Sequence, residues 1–199
     1  MKIVTQKYNP LVYANLYEFT TAKELGSKCK NHLESLGKEL KEHGLNGNVG
    51  IVLLHKHFKL YDDEILLREL HDNVMTVRPT TSRIPVSPYI WAFSKISVNK
   101  PYAFFPIEYV ALGTKTELYR DIATTLENNT VFLTAFFSRI SCLGLTNIFG
   151  LGLIPGPAFT MNKSDTLVEN DEPGRCLKIS VTPAATVGSE ATQTLWIFN

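Results

Sequence analysis

The sequence predicts an α+β domain, a mainly antiparallel sheet packed with an N-terminal amphipathic helix and a second helical segment in the middle of the chain. Three features carry this prediction. Apolar residues recur at helical spacing in residues 21–43 and again in 115–143, short β-branched or aromatic runs occupy most of the remainder, and the two kinds of segment are grouped instead of alternating as in a doubly wound fold. Residues 1–199 read as a single globular domain, with the 21–43 helix on one face of the sheet and the 115–143 helices on the other face or at an end.

The first helix opens near Thr21, whose spacing to Glu24 is that of a capping box, a reciprocal arrangement that satisfies amides left unpaired in the first turn. Leu25, Cys29, Leu33, Leu36 and Leu40 then follow at steps of three or four, which place them on one stripe. Lys38, Lys41 and His43 suit the negative end of the helix dipole, and Gly44 can take the left-handed conformation that stops the helix. Leu45-Asn46-Gly47-Asn48 reads as a turn, and Val49 to Leu54 as a central strand covered on both faces. Residues 64–71 and 74–80 flank Asp72-Asn73, a pair that tolerates positive φ, and so predict a type I′ hairpin.

Further strands are expected over 89–96, 104–112, 146–154, 176–182 and 194–198, all rich in aromatic or β-branched residues. Thr114 and Glu117 repeat the capping-box spacing, Leu118, Ile122 and Leu126 continue the stripe, and the chain restarts as a helix at Asn129. Val131 to Ile140 leave so little polar face that this helix is expected to be covered nearly all round before Gly144. Residues 160–175 are polar and turn-rich, an exposed excursion, and no internal repeat is evident.

Composition narrows the function. Of 199 residues 44% are hydrophobic and 20% charged, so a sizeable core is available without covalent staples. Twenty Lys and Arg against nineteen Asp and Glu give no long-range field to attract a polynucleotide, and nucleic acid is not an expected partner. No apolar run is long enough to span a bilayer, so no membrane partner is expected. Cys29, Cys142 and Cys176 are far apart and odd in number, which fits neither a disulfide framework nor a CxxC metal knuckle. With no apolar signal segment in Met1 to Lys7, the expected location is the cytoplasm. Near-zero net charge is compatible with a homo-oligomer.

The most informative polar group is His55-Lys56-His57. If the strand continues through it, side chains two apart point to the same face and the two imidazoles converge. Such a pair is half of a first-row metal site, and Glu64 with His71 would complete an N/O ligand set: His55, His57, Glu64 and His71. The competing account makes both histidines hydrogen-bonded structural residues, and it is preferred; the cofactor is left open, with a divalent metal compatible with these residues but not favoured. Glu108, between Ile107 and Tyr109, either carries a raised pKa suited to proton transfer or faces water from an alternating strand. Arg68, Glu69 and His71 read as a solvated hairpin face. Tyr89, Trp91, Phe93, Tyr102, Phe104, Phe105 and Tyr109 line an apolar ligand cavity or, as such rings more often do, build the core. Nucleophile elbows, P-loops and dinucleotide fingerprints are absent from the sequence.

Gly50, His55, His57 and Glu64 together resemble the first metal motif of cupins, in which a Gly precedes HxH and a Glu follows. The sequence departs from that family in the longer distance to Glu64 and in having no histidine after His71, so the last cupin ligand has no counterpart. The string Leu53-Leu54-His55-Lys56-His57-Phe58, with Phe105-Pro106-Ile107-Glu108-Tyr109, is similar to a group of uncharacterised fungal proteins. That likeness implies only that the histidine segment matters.

Two functions follow as expectations. One is a small-molecule enzyme or binding protein with an aromatic-lined pocket, in which His55 and His57 supply polar contacts, acid–base action or metal ligation and Glu108 is a further catalytic candidate. The other is a non-catalytic protein-protein interaction module with structural histidines.

Overall fold

The computed structural model describes residues 3–81, 84–95 and 101–198. Its helices are α1 (Pro10–Ala14), α2 (Phe19–Lys28), α3 (Leu33–Glu42), α4 (Leu118–Asn128) and α5 (Thr130–Cys142). Its strands are β1 (Val49–Leu53), β2 (Ile65–His71), β3 (Val74–Thr80), β4 (Val86–Lys95), β5 (Tyr102–Ala111), β6 (Phe149–Leu153), β7 (Asp165–Glu172), β8 (Cys176–Pro183) and β9 (Leu195–Trp196). The strands form one sheet in the order β7-β8-β3-β2-β5-β4-β6-β1-β9. All neighbours are antiparallel except β2 and β5. The α+β class and the mainly antiparallel sheet are as expected.

The helix expected over 21–43 is two helices joined by a 3₁₀ turn at Lys30–His32. Leu25-Gly26-Ser27-Lys28-Cys29 holds two weak helix formers, and Cys29 leaves helical geometry at φ −109°, ψ 6°. The helix starts before Thr21, after Glu18, so the Thr21 capping box does not form. Gly44 ends α3 at φ 67°, and Asp72 and Asn73 take φ 45° and 66° in the β2–β3 turn, both as the sequence requires. Asn129 caps α5 by accepting from the Phe132 amide at 3.1 Å.

Three other expectations change. α4 begins at Leu118, not at Thr114, because Thr116 Oγ1 accepts the Gly113 amide and donates to the Ala111 carbonyl, holding the preceding turn. α5 keeps an exposed side at Ser138 and Arg139. The 160–175 excursion contains β7, which pairs with β8 along its whole length through a turn with Gly174 at φ 81° and Arg175 at φ 58°. Ile96, at the end of one expected strand, lies outside the described residues.

The structure also contains an internal repeat, where none was expected. α3, its glycine-stopped turn and β1 recur as α5, the same turn and β6, one hundred positions on. Leu33, Gly44, Leu45, Gly50 and Leu53 match Leu133, Gly144, Leu145, Gly150 and Leu153. The turns share their hydrogen bonds, with the Leu45 and Leu145 amides donating to the Leu40 and Ile140 carbonyls at 2.9 Å. β1 and β6 pair antiparallel with Ile51 opposite Leu151, its own counterpart, so a local two-fold axis passes between them. Across that axis Arg139 Nε meets its counterpart's carboxylate, Glu39 Oε1, at 3.3 Å. Only five positions of this span are identical, although apolar pairs such as Leu40 with Ile140 and Ile51 with Leu151 keep the buried stripe.

The two helical segments therefore meet: α3 packs on β1 and α5, and α4 packs on β4, β6 and α5. Their buried stripes, Leu33, Leu36 and Leu40 with Phe132, Phe136 and Ile140, belong to one core with Ile51, Trp91, Phe93 and Leu151. Strands from the two ends of the sheet nonetheless line one cleft: β7 contributes Asp165 to Glu169, and the segment running into β9 contributes Val187 to Leu195. The sheet is curled around this space. Among the described residues no helix is long and apolar enough to cross a membrane.

Candidate functional site

The histidine segment leaves the sheet where β1 ends at Leu53. Its backbone is then held from outside the sheet. The Lys56 amide donates to the Tyr17 carbonyl at 2.9 Å, and the amides of His57 and Phe58 donate to the hydroxyl of Tyr13 at 2.9 and 3.3 Å. Tyr13, on α1, is 1% exposed, so the fixing group is itself fixed. Lys56 points away and pairs with Glu18 at 3.1 Å. His55 and His57 converge, with ring centroids 4.4 Å apart at 73°. The same-side expectation holds, although an irregular segment anchored by α1 produces it, not a continued strand.

His55 has one ring nitrogen engaged, and His57 has a carboxylate near each of its two. His55 Nδ1 lies 2.9 Å from the Leu53 carbonyl, an acceptor only, so Nδ1 carries the proton and Nε2 keeps a free lone pair. Burial, and then the neighbouring His57, push His55 down to about 4, so it is neutral at pH 7. His57 Nε2 lies 3.5 Å from Glu108 Oε1, and its Nδ1 lies 3.7 Å from Glu169 Oε1. Burial lowers the His57 pKa, but the Glu108 and Glu169 carboxylates outweigh it and the net shift is upward.

Glu108 is 2% exposed and does not face water. Its Oε2 accepts from Arg68 Nε at 2.8 Å and Arg68 Nη2 at 2.6 Å, leaving Oε1 for His57. Burial alone would raise its pKa, but the Arg68 charge and the His57 contact reverse the shift and bring it to about 2. Glu108 is therefore a fixed anion and not a proton donor at neutral pH. Arg68, 7% exposed, is likewise no part of a solvated face. Its guanidinium also lies over the Tyr89 ring, 4.9 Å from the centroid.

This polar line forms one wall of the cleft, whose volume is about 840 Å³. Phe19 closes over His55 at 5.0 Å between ring centroids. Much of the remaining lining is aliphatic, including Val52, Ile90, Ile107, Leu153 and Leu167, so the aromatic lining expected is only partly present. Trp91, Phe93 and Phe104 are core residues that stack on one another and on α5.

Of the expected ligand set, the structure brings together His55 and His57 but not Glu64 or His71. Glu64 is held by Arg175, whose Nη1 and Nη2 reach its two oxygens at 3.0 and 2.7 Å. His71 is exposed at the tip of the β2–β3 hairpin and lines a separate shallow hollow with Asp72 and Lys115. The carboxylate that joins the histidines is Glu169. His55, His57 and Glu169 each offer one ligand atom, all within 4.8 Å of one another, and this is the one such group among the described residues. Glu169 carried no signal in the sequence, since it reaches the site only through the curl that brings edge strand β7 across. Arg68 did carry one. The Asp72-Asn73 turn fixes the hairpin register and sets Arg68 opposite buried Val77, where a solvated charge is out of place.

Comparisons with protein-family models, with curated proteins and with solved structures return no match. The function is therefore argued from the site alone.

Proposed function

We propose that the chain is an enzyme or binding protein for a small molecule, built around a divalent metal held by His55 Nε2, His57 Nδ1 and a Glu169 carboxylate oxygen. The observation that carries this reading is the division of labour on the two rings. The nitrogen of each imidazole that is turned from the group has a fixed partner, the Leu53 carbonyl for His55 and the Glu108 carboxylate for His57. Metal-bound histidines characteristically donate their second N–H to a carboxylate or carbonyl, which sets tautomer and ring orientation. Glu108, clamped by Arg68, acts here as a positioning residue. Two imidazoles and one carboxylate suit a first-row transition ion better than calcium or magnesium, which take oxygen ligands. Three protein ligands also leave coordination positions for water or a ligand from the cleft.

The test is metal uptake by protein purified without a histidine tag, stripped with chelator and titrated with cobalt(II) and zinc(II). Tight uptake by the wild type, lost in His55→Ala and in Glu169→Ala and retained in His71→Ala, is the expected result. Glu169 is exposed on an edge strand, so its variant keeps the fold whatever happens to binding. Glu108→Gln lowers affinity by about ten- to a hundredfold, the usual effect of losing such a partner. Equal uptake by the wild type and both ligand variants overturns the reading and returns the histidines to a structural role, as in an interaction module.

A further inference from the structure

Tyr89 is the second group in the cleft whose chemistry is unfinished. It is 3% exposed, and its hydroxyl is the one fully buried side-chain polar atom without a hydrogen-bond partner among the described residues. Tyr119 is the adjacent phenol, with ring centroids 5.4 Å apart at 89°. The two hydroxyls are near enough for a long, weak contact in which the Tyr119 oxygen accepts, yet no hydrogen bond of ordinary length and angle joins them, and Tyr119 donates its own proton to the Pro155 carbonyl at 3.0 Å. Leaving a buried hydroxyl without a good hydrogen bond is unfavourable, so the phenol is poised to donate to an acceptor supplied from the cleft.

The charge around the cleft restricts what that acceptor belongs to. Its lining holds four carboxylates, Glu108, Asp165, Glu169 and Glu190, and one guanidinium, Arg68, already spent on Glu108. A phosphate or free carboxylate entering this space in the metal-free protein meets no unpaired cation and a carboxylate-rich wall, a like-charge juxtaposition that disfavours it. The aliphatic remainder of the lining favours a ligand with an apolar body.

We infer that the cleft takes a non-anionic, largely apolar small molecule bearing a hydrogen-bond-accepting oxygen, and that the Tyr89 hydroxyl is the specificity residue that donates to this oxygen. The inference rests on the reading of the cleft as the ligand site, but not on the metal. Binding specificity of this kind is steep, because a ligand lacking the acceptor leaves the phenol unpaired as before.

The experiment uses three probes of matched medium chain length, a methyl ketone, the corresponding fatty acid and the corresponding alkylamine, titrated by calorimetry and by amide chemical-shift mapping. Each titration is run on chelator-stripped and on zinc-loaded full-length protein. In stripped protein the ketone is expected to bind at least tenfold more tightly than the fatty acid, and to shift amides of Leu53 to His57 and Thr166 to Glu169, while the amine, which the carboxylates attract but which offers Tyr89 no acceptor oxygen, is expected to bind Tyr89→Phe and wild type equally. Tyr89→Phe, which keeps the ring under Arg68, is expected to weaken the ketone by about five- to a hundredfold, the loss of one buried hydrogen bond, while leaving cobalt uptake unchanged. Tighter binding of the fatty acid by stripped protein, or equal ketone affinity in Tyr89→Phe, overturns the inference. Failure of metal uptake with the ketone pattern intact overturns the proposed metal centre alone.

Discussion

Arg68 and Glu108, on the parallel pair β2 and β5, share two short charge-assisted bonds of 2.8 and 2.6 Å while their side chains are only 8% and 3% exposed. The same carboxylate turns its second oxygen to His57 at 3.5 Å. A buried pair of this kind holds the site in place, and its two halves are unequal in consequence. Arg68→Ala leaves Glu108 buried without its main partner, and removing one member of such a pair costs about 3–5 kcal/mol. The double variant Arg68→Met with Glu108→Leu leaves no unpaired charge and is expected to recover most of that loss in urea denaturation, while still impairing metal uptake through His57.

Stability should also depend on acid through this carboxylate. Glu108 is lowered from an ordinary 4.5 to about 2 in the folded protein, so the folded state favours its ionised form. That contribution is fully present above the unfolded value and is lost progressively as pH falls from 4.5 toward about 2. Denaturation midpoints of wild type and Glu108→Gln should therefore converge as pH descends through this window. Parallel curves would assign the acid sensitivity elsewhere.

Much of the fold was legible because its signals are local. Gly44, Gly144, the Asp72-Asn73 pair and the Asn129 cap each act within a few residues of themselves, and all four do what their chemistry dictates. The strand β7 was hidden because an edge strand of eight residues, Asp165–Glu172, with four of them acidic, is polar enough to resemble a loop. The site divides in the same way. His55 and His57 are two residues apart and could be paired from sequence, whereas Glu169 and Tyr13 come from the two ends of the chain and join them only through the curled sheet and α1.

Tyr13 offers a test of that non-local support. Its hydroxyl accepts from the amides of both His57 and Phe58, so Tyr13→Phe leaves two backbone donors without their acceptor. A loss of about 1–3 kcal/mol is expected from the unsatisfied groups. The displaced segment should also weaken cobalt uptake, which a variant acting on stability alone would not do at temperatures well below its Tm.

The close approach of β6 to β4 makes a separate prediction. Gly150 lies where β6 approaches β4, and a Cβ there would press into the carbonyl of Trp91 and the side chain of Leu54, whereas a Cβ on Gly47 meets nothing within 4 Å. Gly150→Ala is therefore expected to cost about 1–3 kcal/mol by overpacking, with Gly47→Ala close to neutral in the same thermal melts.

The arrangement of nitrogens on the two imidazoles can be read directly by long-range ¹H–¹⁵N correlation of the histidine rings, before and after zinc is added. Five histidines give a tractable spectrum. On zinc binding, His55 Nε2 and His57 Nδ1 should move to metal-bound shifts while His55 Nδ1 and His57 Nε2 stay protonated, and His32, His43 and His71 should not change. Zinc that leaves both rings unmoved, or that binds through the opposite nitrogens, would contradict the metal centre.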